Sequence, residues 1–122
     1  PRTEQLKMGR ESRRATRRAM SGTVLVTDTM TEEVIGRIGN LSASGVLLIA
    51  STPLTDDALY QFRFALPASR GAQAVEVGAH VLWVDGASAP GQSWVGLRFI
   101  GLSTETTQRL RRWAEAGASS PK

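Results

Sequence analysis

The stretch AVEVGAHVLWV, residues 74–84, places apolar side chains at every second position from Val75 to Trp83. Successive side chains of a β-strand point to opposite faces of a sheet, so this two-residue period predicts a strand with one face on a core. The core candidates on that face are Val75, Val77, Ala79, Val81 and Trp83. The preceding stretch LYQFRFAL, residues 59–66, has the same period, and its core candidates are Tyr60, Phe62, Phe64 and Leu66. Two neighbouring alternating segments predict a β-sheet domain.

Four further segments are rich in β-branched or aromatic residues and are bounded by turn residues. They predict strands at residues 23–27, 33–38, 45–50 and 94–100. Ser103 is positioned as an N-cap for a helix over about residues 104–116, whose apolar stripe is Leu110, Trp113 and Ala114. Six strands with no helix between them predict a mostly β fold: a six-stranded antiparallel β-barrel with a C-terminal α-helix and a flexible basic N-terminal arm.

The chain has 122 residues, of which 41% are hydrophobic, and this is enough for one core but not for two. We predict a flexible basic arm over residues 1–20, the barrel with its helix over residues 21–117, and a tail over residues 118–122. No apolar run approaches the roughly 18 to 20 residues that cross a bilayer, and the N-terminal segment lacks the apolar middle of a signal peptide. The expected location is the cytoplasm, in a protein of its own or as part of a larger one.

The positive charge of the chain is concentrated before the first strand. Residues 1–18 carry seven basic and two acidic side chains, a net charge of +5, whereas residues 19–122 carry eight basic and nine acidic ones. The densest part is RRATRR, residues 13–18, with four guanidinium groups. Three interpretations fit such a cluster. It could be a solvated basic tail, or it could contact the phosphates of nucleic acid. It could also bind a compact anionic ligand through paired hydrogen bonds to phosphate and to the O6 and N7 edge of guanine.

Residues that could carry catalysis or bind a metal are few. The chain has one histidine, His80, in the middle of a predicted strand, and it has no cysteine. No nucleophile–histidine–carboxylate spacing surrounds His80, and one histidine without thiolates does not supply the usual metal ligands. Asp56 and Asp57 follow Pro53 and are interpreted as turn residues. We therefore expect a protein that is not an enzyme, with no metal site and no cofactor.

The segment NLSASG, residues 40–45, separates the second predicted strand from the third. As a turn, it uses Asn40 and Ser42 to bond nearby backbone groups and Gly45 to adopt a positive φ. As part of a binding site, Asn40 and Ser42 form a polar rim, and Gly45 allows a ligand to approach the backbone. The sequence alone leaves both interpretations open.

Together, the two segments resemble the PilZ family of cyclic di-GMP receptors, whose motifs are Arg-x-x-x-Arg and Asp-or-Asn-x-Ser-x-x-Gly. The resemblance runs from about Arg10 to Trp113 and includes VGLRFIGLS, residues 95–103, before the helix. It implies a six-stranded barrel with a terminal helix, and a bacterial second-messenger effector that binds cyclic di-GMP. The arm is then expected to become ordered over the barrel when the ligand arrives, which couples binding to a downstream protein partner or fused domain in motility, biofilm or polysaccharide control.

The resemblance also implies the ligand-binding residues. They are Arg13, Arg14, Arg17, Arg18, Asn40, Ser42 and Gly45, with Arg10 as a possible addition. Three pairs satisfy the arginine spacing: Arg10 with Arg14, Arg13 with Arg17, and Arg14 with Arg18. We favour Arg14 and Arg18, because many family members have a doubled arginine at each end of the motif, and Arg13 with Arg17 comes next.

Trp83 and Trp94 flank the last hairpin, where each could stack on a guanine or pack on the barrel. Two other functions remain as alternatives to the receptor. One is a nonspecific binder of nucleic acid or anionic surfaces that uses the arm as a polycation. The other is an adaptor that keeps the barrel but acts through protein contacts alone.

Overall fold

The computed structural model describes residues 16–67, 71–86 and 89–118. The strands are β1 (Arg18–Ala19), β2 (Leu25–Asp28), β3 (Glu33–Leu41), β4 (Gly45–Ala50), β5 (Leu59–Leu66), β6 (Gln73–Gly86) and β7 (Ser93–Ile100), and they are followed by helix α1 (Thr104–Ala118). The six predicted strands and the helix are all present. Strand β3 is longer than predicted and reaches into the NLSASG segment.

Strands β2 to β7 close into an antiparallel barrel. Their order is β3-β2-β5-β6-β7-β4, and β4 pairs back with β3, so the ring has no free edge. The predicted six-stranded barrel is confirmed. The short strand β1 adds to β3 from outside the ring.

The barrel interior is filled by the alternating side chains of its strands, with Phe62 and Phe64 of β5 among the most buried. Helix α1 covers one end of the barrel, because Leu110 is fully buried in the core and Trp113 packs against it. The helix begins at the predicted cap, where Ser103 Oγ accepts a hydrogen bond of 3.0 Å from the backbone N–H of Thr106. In the described ranges, no helix is long and apolar enough to cross a membrane.

The alternation predicted for β6 fails at its last core candidate. The register of β6 against β7 shifts between Val81 and Trp83, so two residues of β6 face one residue of β7. Such a bulge moves the following side chains to the opposite face. Val81 is therefore buried, as predicted, but Trp83 is 45% exposed on the outer face, and its placement in the core was wrong.

The end of the predicted arm contacts the barrel. Arg18 pairs with Leu41 and Ala19 pairs with Asn40, and the backbone N–H of Met20 donates to the carbonyl of Gly39 at 3.1 Å. Most of the predicted arm, with Arg10, Arg13 and Arg14, and most of the predicted tail lie outside the described residues. The division of the chain at residues 20 and 117 stays a prediction.

Candidate functional site

A hydrogen bond joins the two motifs that the sequence singled out. Arg17 Nη1 donates to Asn40 Oδ1 at 2.7 Å, across a sequence separation of 23 residues. Ala19 of β1 pairs with Asn40 of β3, and this pairing brings the side chain of Arg17 close to that of Asn40. A residue of the arginine cluster and the first residue of NLSASG thus lie on the same part of the barrel surface.

A bulge in β3 turns Asn40 outward. The register of β3 against β4 shifts between Ile38 and Asn40, which leaves Gly39 as the extra residue. Ile38 and Leu41 are buried, whereas Asn40 between them is half-buried on the outer face. Within the described residues Asn40 Nδ2 makes no hydrogen bond, so the amide retains two N–H donors for a ligand.

Arg17 and Asn40 line one side of a cleft of about 210 Å³, and Leu82 and Trp83 line the other. Gly96 of β7 forms part of the floor, and the Trp83 indole lies directly against it, because a Cβ atom at this position would overlap the indole ring. The bulge in β6 is what brings Trp83 to this face. The cleft therefore combines a guanidinium group, an amide and a partly exposed indole.

Arg17 is the charged residue of the cleft, and its side chain is exposed. The surrounding protein removes part of the water around Arg17 and lowers the pKa of its guanidinium group. Arginine still carries its proton at neutral pH. The cleft is suited to a ligand with negative charge and an aromatic surface.

Ser42 lies beneath this surface and does not open onto the cleft. It is fully buried, and its Oγ accepts hydrogen bonds from the backbone N–H of Ser44 at 3.1 Å and of Gly45 at 3.2 Å. The backbone N–H of Ser42 donates to the carbonyl of Gly45 at 2.9 Å. These bonds close the turn between β3 and β4, so the described geometry gives Ser42 the turn role.

Replacing Ser42 with alanine is expected to lower the free energy of unfolding by about 1 to 2 kcal/mol. The Gly45 N–H would lose its acceptor inside the protein, whereas the N–H of the exposed Ser44 can turn to water. Urea denaturation of both proteins measures the change. Ser44→Ala is the matched control: it removes the 3.1 Å hydrogen bond between the two hydroxyl groups but keeps both backbone N–H bonds to Ser42 Oγ, so it is expected to cost less than Ser42→Ala. Equal stability of Ser42→Ala and the parent chain would contradict the turn role.

Gly45 is required for a different reason from the one predicted. The positive φ angles among the described glycines occur at Gly71, Gly91 and Gly101, so the prediction of a positive φ at Gly45 was wrong. A Cβ atom on Gly45 would overlap the carbonyl oxygen of Leu97 in β7. The close approach of two strands, β4 and β7, excludes a side chain here.

Arg18 points away from the cleft, toward the helix. Its Nη1 donates to the carbonyl oxygen of Trp113 at 2.8 Å, and its Cζ lies 4.2 Å from the centroid of the Trp113 ring. A cation over an indole face is an attractive contact. The structure therefore brings Arg17 to Asn40 and separates Arg18 from it, while the roles of Arg13 and Arg14 stay predictions.

Trp94 lies close to the cleft on the same outer face. It pairs with Ile49 of β4, and its ring would lie 3.4 Å from a Cβ atom on Gly39. It is half-buried by these neighbours. The described contacts of Trp94 are those of packing on the barrel wall.

The sequence analysis did not identify the cleft residues Leu82 and Gly96, because their side chains have no polar groups that would mark them as binding residues.

His80 lies on the outer face of β6, where its Nε2 is 2.6 Å from Asp57 Oδ1. No group of three or more potential metal-ligating side chains occurs in the part of the chain that the structure describes.

A closed six-stranded barrel, capped by a helix and joined on its outer face by an arginine-bearing strand, defines a small β-barrel domain. The sequence matches the family model of the PilZ domain over residues 11–116, which is most of the chain. The chain belongs to the PilZ domain family, as its motifs indicated. No curated protein matches it.

Solved structures share this fold at low sequence identity. The Bacillus subtilis inhibitor of motility (MotI/DgrA) has a TM-score of 0.71 and 16% identity over 85% of this chain and 49% of its own. The PilZ domain of YcgR from Escherichia coli, solved with c-di-GMP, has a TM-score of 0.66 and 15% identity, and the match covers 88% of this chain and 92% of that domain. YcgR from Escherichia coli in complex with c-di-GMP has a TM-score of 0.64 and 16% identity, and the match covers 83% of this chain and 43% of YcgR. The chain thus spans about half the length of MotI/DgrA.

Proposed function

We propose that this domain is a receptor for cyclic di-GMP, and that the cleft between Arg17 and Trp83 is part of its binding site. The observation that carries the proposal is the 2.7 Å hydrogen bond from Arg17 to Asn40, which joins the two family motifs at an open cleft. Membership of the PilZ family and the c-di-GMP named with the YcgR structures support the same ligand.

Each cleft residue has a role in this proposal that follows from its chemistry. The planar guanidinium of Arg17 forms paired hydrogen bonds with a phosphate or with the O6 and N7 edge of guanine. Asn40 donates from Nδ2, and the exposed face of Trp83 offers a surface on which a guanine stacks. Ligand binding then replaces the single Arg17–Asn40 hydrogen bond with paired bonds from the guanidinium to the ligand.

The size of the cleft favours a ligand that lies across it. Its volume of about 210 Å³ is below the range of about 300–1,000 Å³ that is typical of small-molecule sites. A dinucleotide would therefore extend beyond the cleft, where Arg13 and Arg14 of the preceding segment supply the remaining cationic contacts. In this proposal the arm becomes ordered on the ligand, and the rearranged surface is recognised by a partner protein.

We further propose that the domain acts as a cytoplasmic effector in the control of bacterial motility. The named function of MotI/DgrA as an inhibitor of motility supports this process, and it leaves the downstream partner open.

Isothermal titration calorimetry of the chain with cyclic di-GMP tests the proposal. A saturable heat is expected with cyclic di-GMP, and a much weaker one with cyclic di-AMP, because adenine has a donor where guanine has the O6 acceptor. A linear guanine dinucleotide serves as a second control for the cyclic backbone. The absence of saturable heat with cyclic di-GMP would refute the proposal. Salt-sensitive binding of any DNA oligonucleotide, without such heat, would favour the polycation alternative instead.

A further inference from the structure

A second cleft, of about 560 Å³, lies between helix α1, the end of β5 and the start of β6. We call it the cationic cleft; its main lining residues are Arg18, Arg109, Arg112, Trp113, Leu66 and Pro67. It shares no residue with the cleft of Arg17 and Asn40. The proposed nucleotide site therefore leaves this surface without a function.

The charge of the cationic cleft has one sign. Three guanidinium groups line it, and none of its described lining residues is acidic. Among the described residues, Arg109 and Arg112 have no hydrogen-bond or ion-pair partner. Arg109 is half-buried and Arg112 is exposed, and their spacing of three places them on one side of the helix. Arg18 is held in place by Trp113. Unpaired arginines on a rigid element favour the binding of carboxylates or phosphates.

The floor of the cationic cleft is apolar. Leu66 is buried, Trp113 is half-buried, and Pro67 is exposed beside them. A small anion such as phosphate would use the arginines and leave this floor in contact with water. A peptide with both acidic and aliphatic side chains would cover the floor and pair with the arginines.

Two occupants from the chain itself fit less well. Residues 1–17 carry six basic and two acidic side chains, a net charge of +4, so the arm that precedes Arg18 is repelled by the arginines of the cationic cleft. Residues 19–122 carry eight basic and nine acidic side chains, so a second copy is nearly neutral and offers little net attraction to the arginines. We propose that the cationic cleft is a docking site for an acidic segment of a partner protein that also presents aliphatic side chains. This inference goes beyond nucleotide binding and does not depend on it.

Fluorescence anisotropy with a short labelled peptide of alternating glutamate and leucine tests the docking site, in the absence of nucleotide and near physiological ionic strength. Saturable binding is expected for the intact chain. The double variant Arg109→Glu/Arg112→Glu is expected to bind about tenfold or more weakly, because like charges then face each other. Arg37→Glu/Arg111→Glu is the matched control, since both of its arginines are exposed and lie outside the cationic cleft. Circular dichroism checks that both variants remain folded.

Two further peptides distinguish the contribution of charge from that of apolar contact. Replacing glutamate with glutamine is expected to abolish binding, and replacing leucine with serine is expected to weaken it several-fold. No saturable binding, or an equal loss in both double variants, would overturn the proposal. Unchanged affinity of the serine peptide, with displacement by inorganic pyrophosphate, would overturn it in favour of a small-anion site. A dimer in size-exclusion chromatography that disappears only in Arg109→Glu/Arg112→Glu would overturn it in favour of a second copy.

Discussion

Alanine in place of Arg17 is expected to weaken the binding of cyclic di-GMP by about 10- to 150-fold. A hydrogen bond to a charged group contributes about 1.5–3 kcal/mol, and each 1.4 kcal/mol is a factor of ten in affinity. Arg17 is the guanidinium that lines the proposed site beside Asn40. Calorimetric titration of the variant and the parent chain measures the difference.

The neighbouring arginine provides the comparison. Arg18→Ala removes the same charge one residue away, but its side chain contacts Trp113 on the helix. We expect less than a threefold loss of ligand affinity and a lower thermal stability, because the contact between the arm and the helix is lost. A large loss of affinity in Arg18→Ala with a silent Arg17→Ala would instead support the Arg14–Arg18 pair that we favoured from the sequence.

A lysine at position 17 separates charge from geometry. Lysine keeps the positive charge but lacks the planar fork that forms paired hydrogen bonds. If Arg17 binds phosphate only as a charge, Arg17→Lys should retain most of the affinity. If it binds the guanine edge through two bonds, Arg17→Lys should resemble Arg17→Ala. Cyclic di-AMP serves as a reference, because it shares the phosphates but not the O6 acceptor.

The strands were predictable where the two-residue period is uninterrupted. The core side chains Phe62 and Phe64 of β5 follow directly from it, since each strand of a closed barrel has one face inside. The period fails at Trp83 because a bulge adds a residue to β6 between Val81 and Trp83. Apolar residues at positions 81 to 84 on both faces of the strand hide this shift from sequence analysis.

The meeting of the two motifs was predictable, but the arginine that faces the cleft was not. Arg18 begins β1 and Arg17 directly precedes it. Neighbouring residues of an extended chain point to opposite sides, so the two side chains take different directions once β1 pairs with β3. The pairing of Ala19 with Asn40 decides which of them reaches Asn40. Strand β1 has only two residues, and its sequence contains no apolar period that would reveal this register.

Alanine in place of Gly45 is expected to lower the free energy of unfolding by about 3 kcal/mol, the upper part of the range for an overpacked interior. The new Cβ atom would overlap the Leu97 carbonyl oxygen and lie 3.4 Å from the Cα atom of Arg98. Both obstacles are backbone atoms of β7, with which β4 pairs from Gly45 to Ala50. The two strands would have to separate, and the hydrogen bonds between them would weaken. Urea denaturation measures the loss.

Gly22→Ala is the matched control, because nothing lies within 4 Å of a Cβ atom there and its φ is not positive. Its stability is expected to stay within about 0.5 kcal/mol of the parent chain. A stable Gly45→Ala protein that no longer binds cyclic di-GMP would show that this glycine serves the ligand, as the second interpretation of NLSASG holds. A destabilised protein whose folded fraction still binds would assign Gly45 to the packing of β4 on β7. In that case the family motif consists of one residue that faces the cleft, Asn40, and two that build the turn behind it.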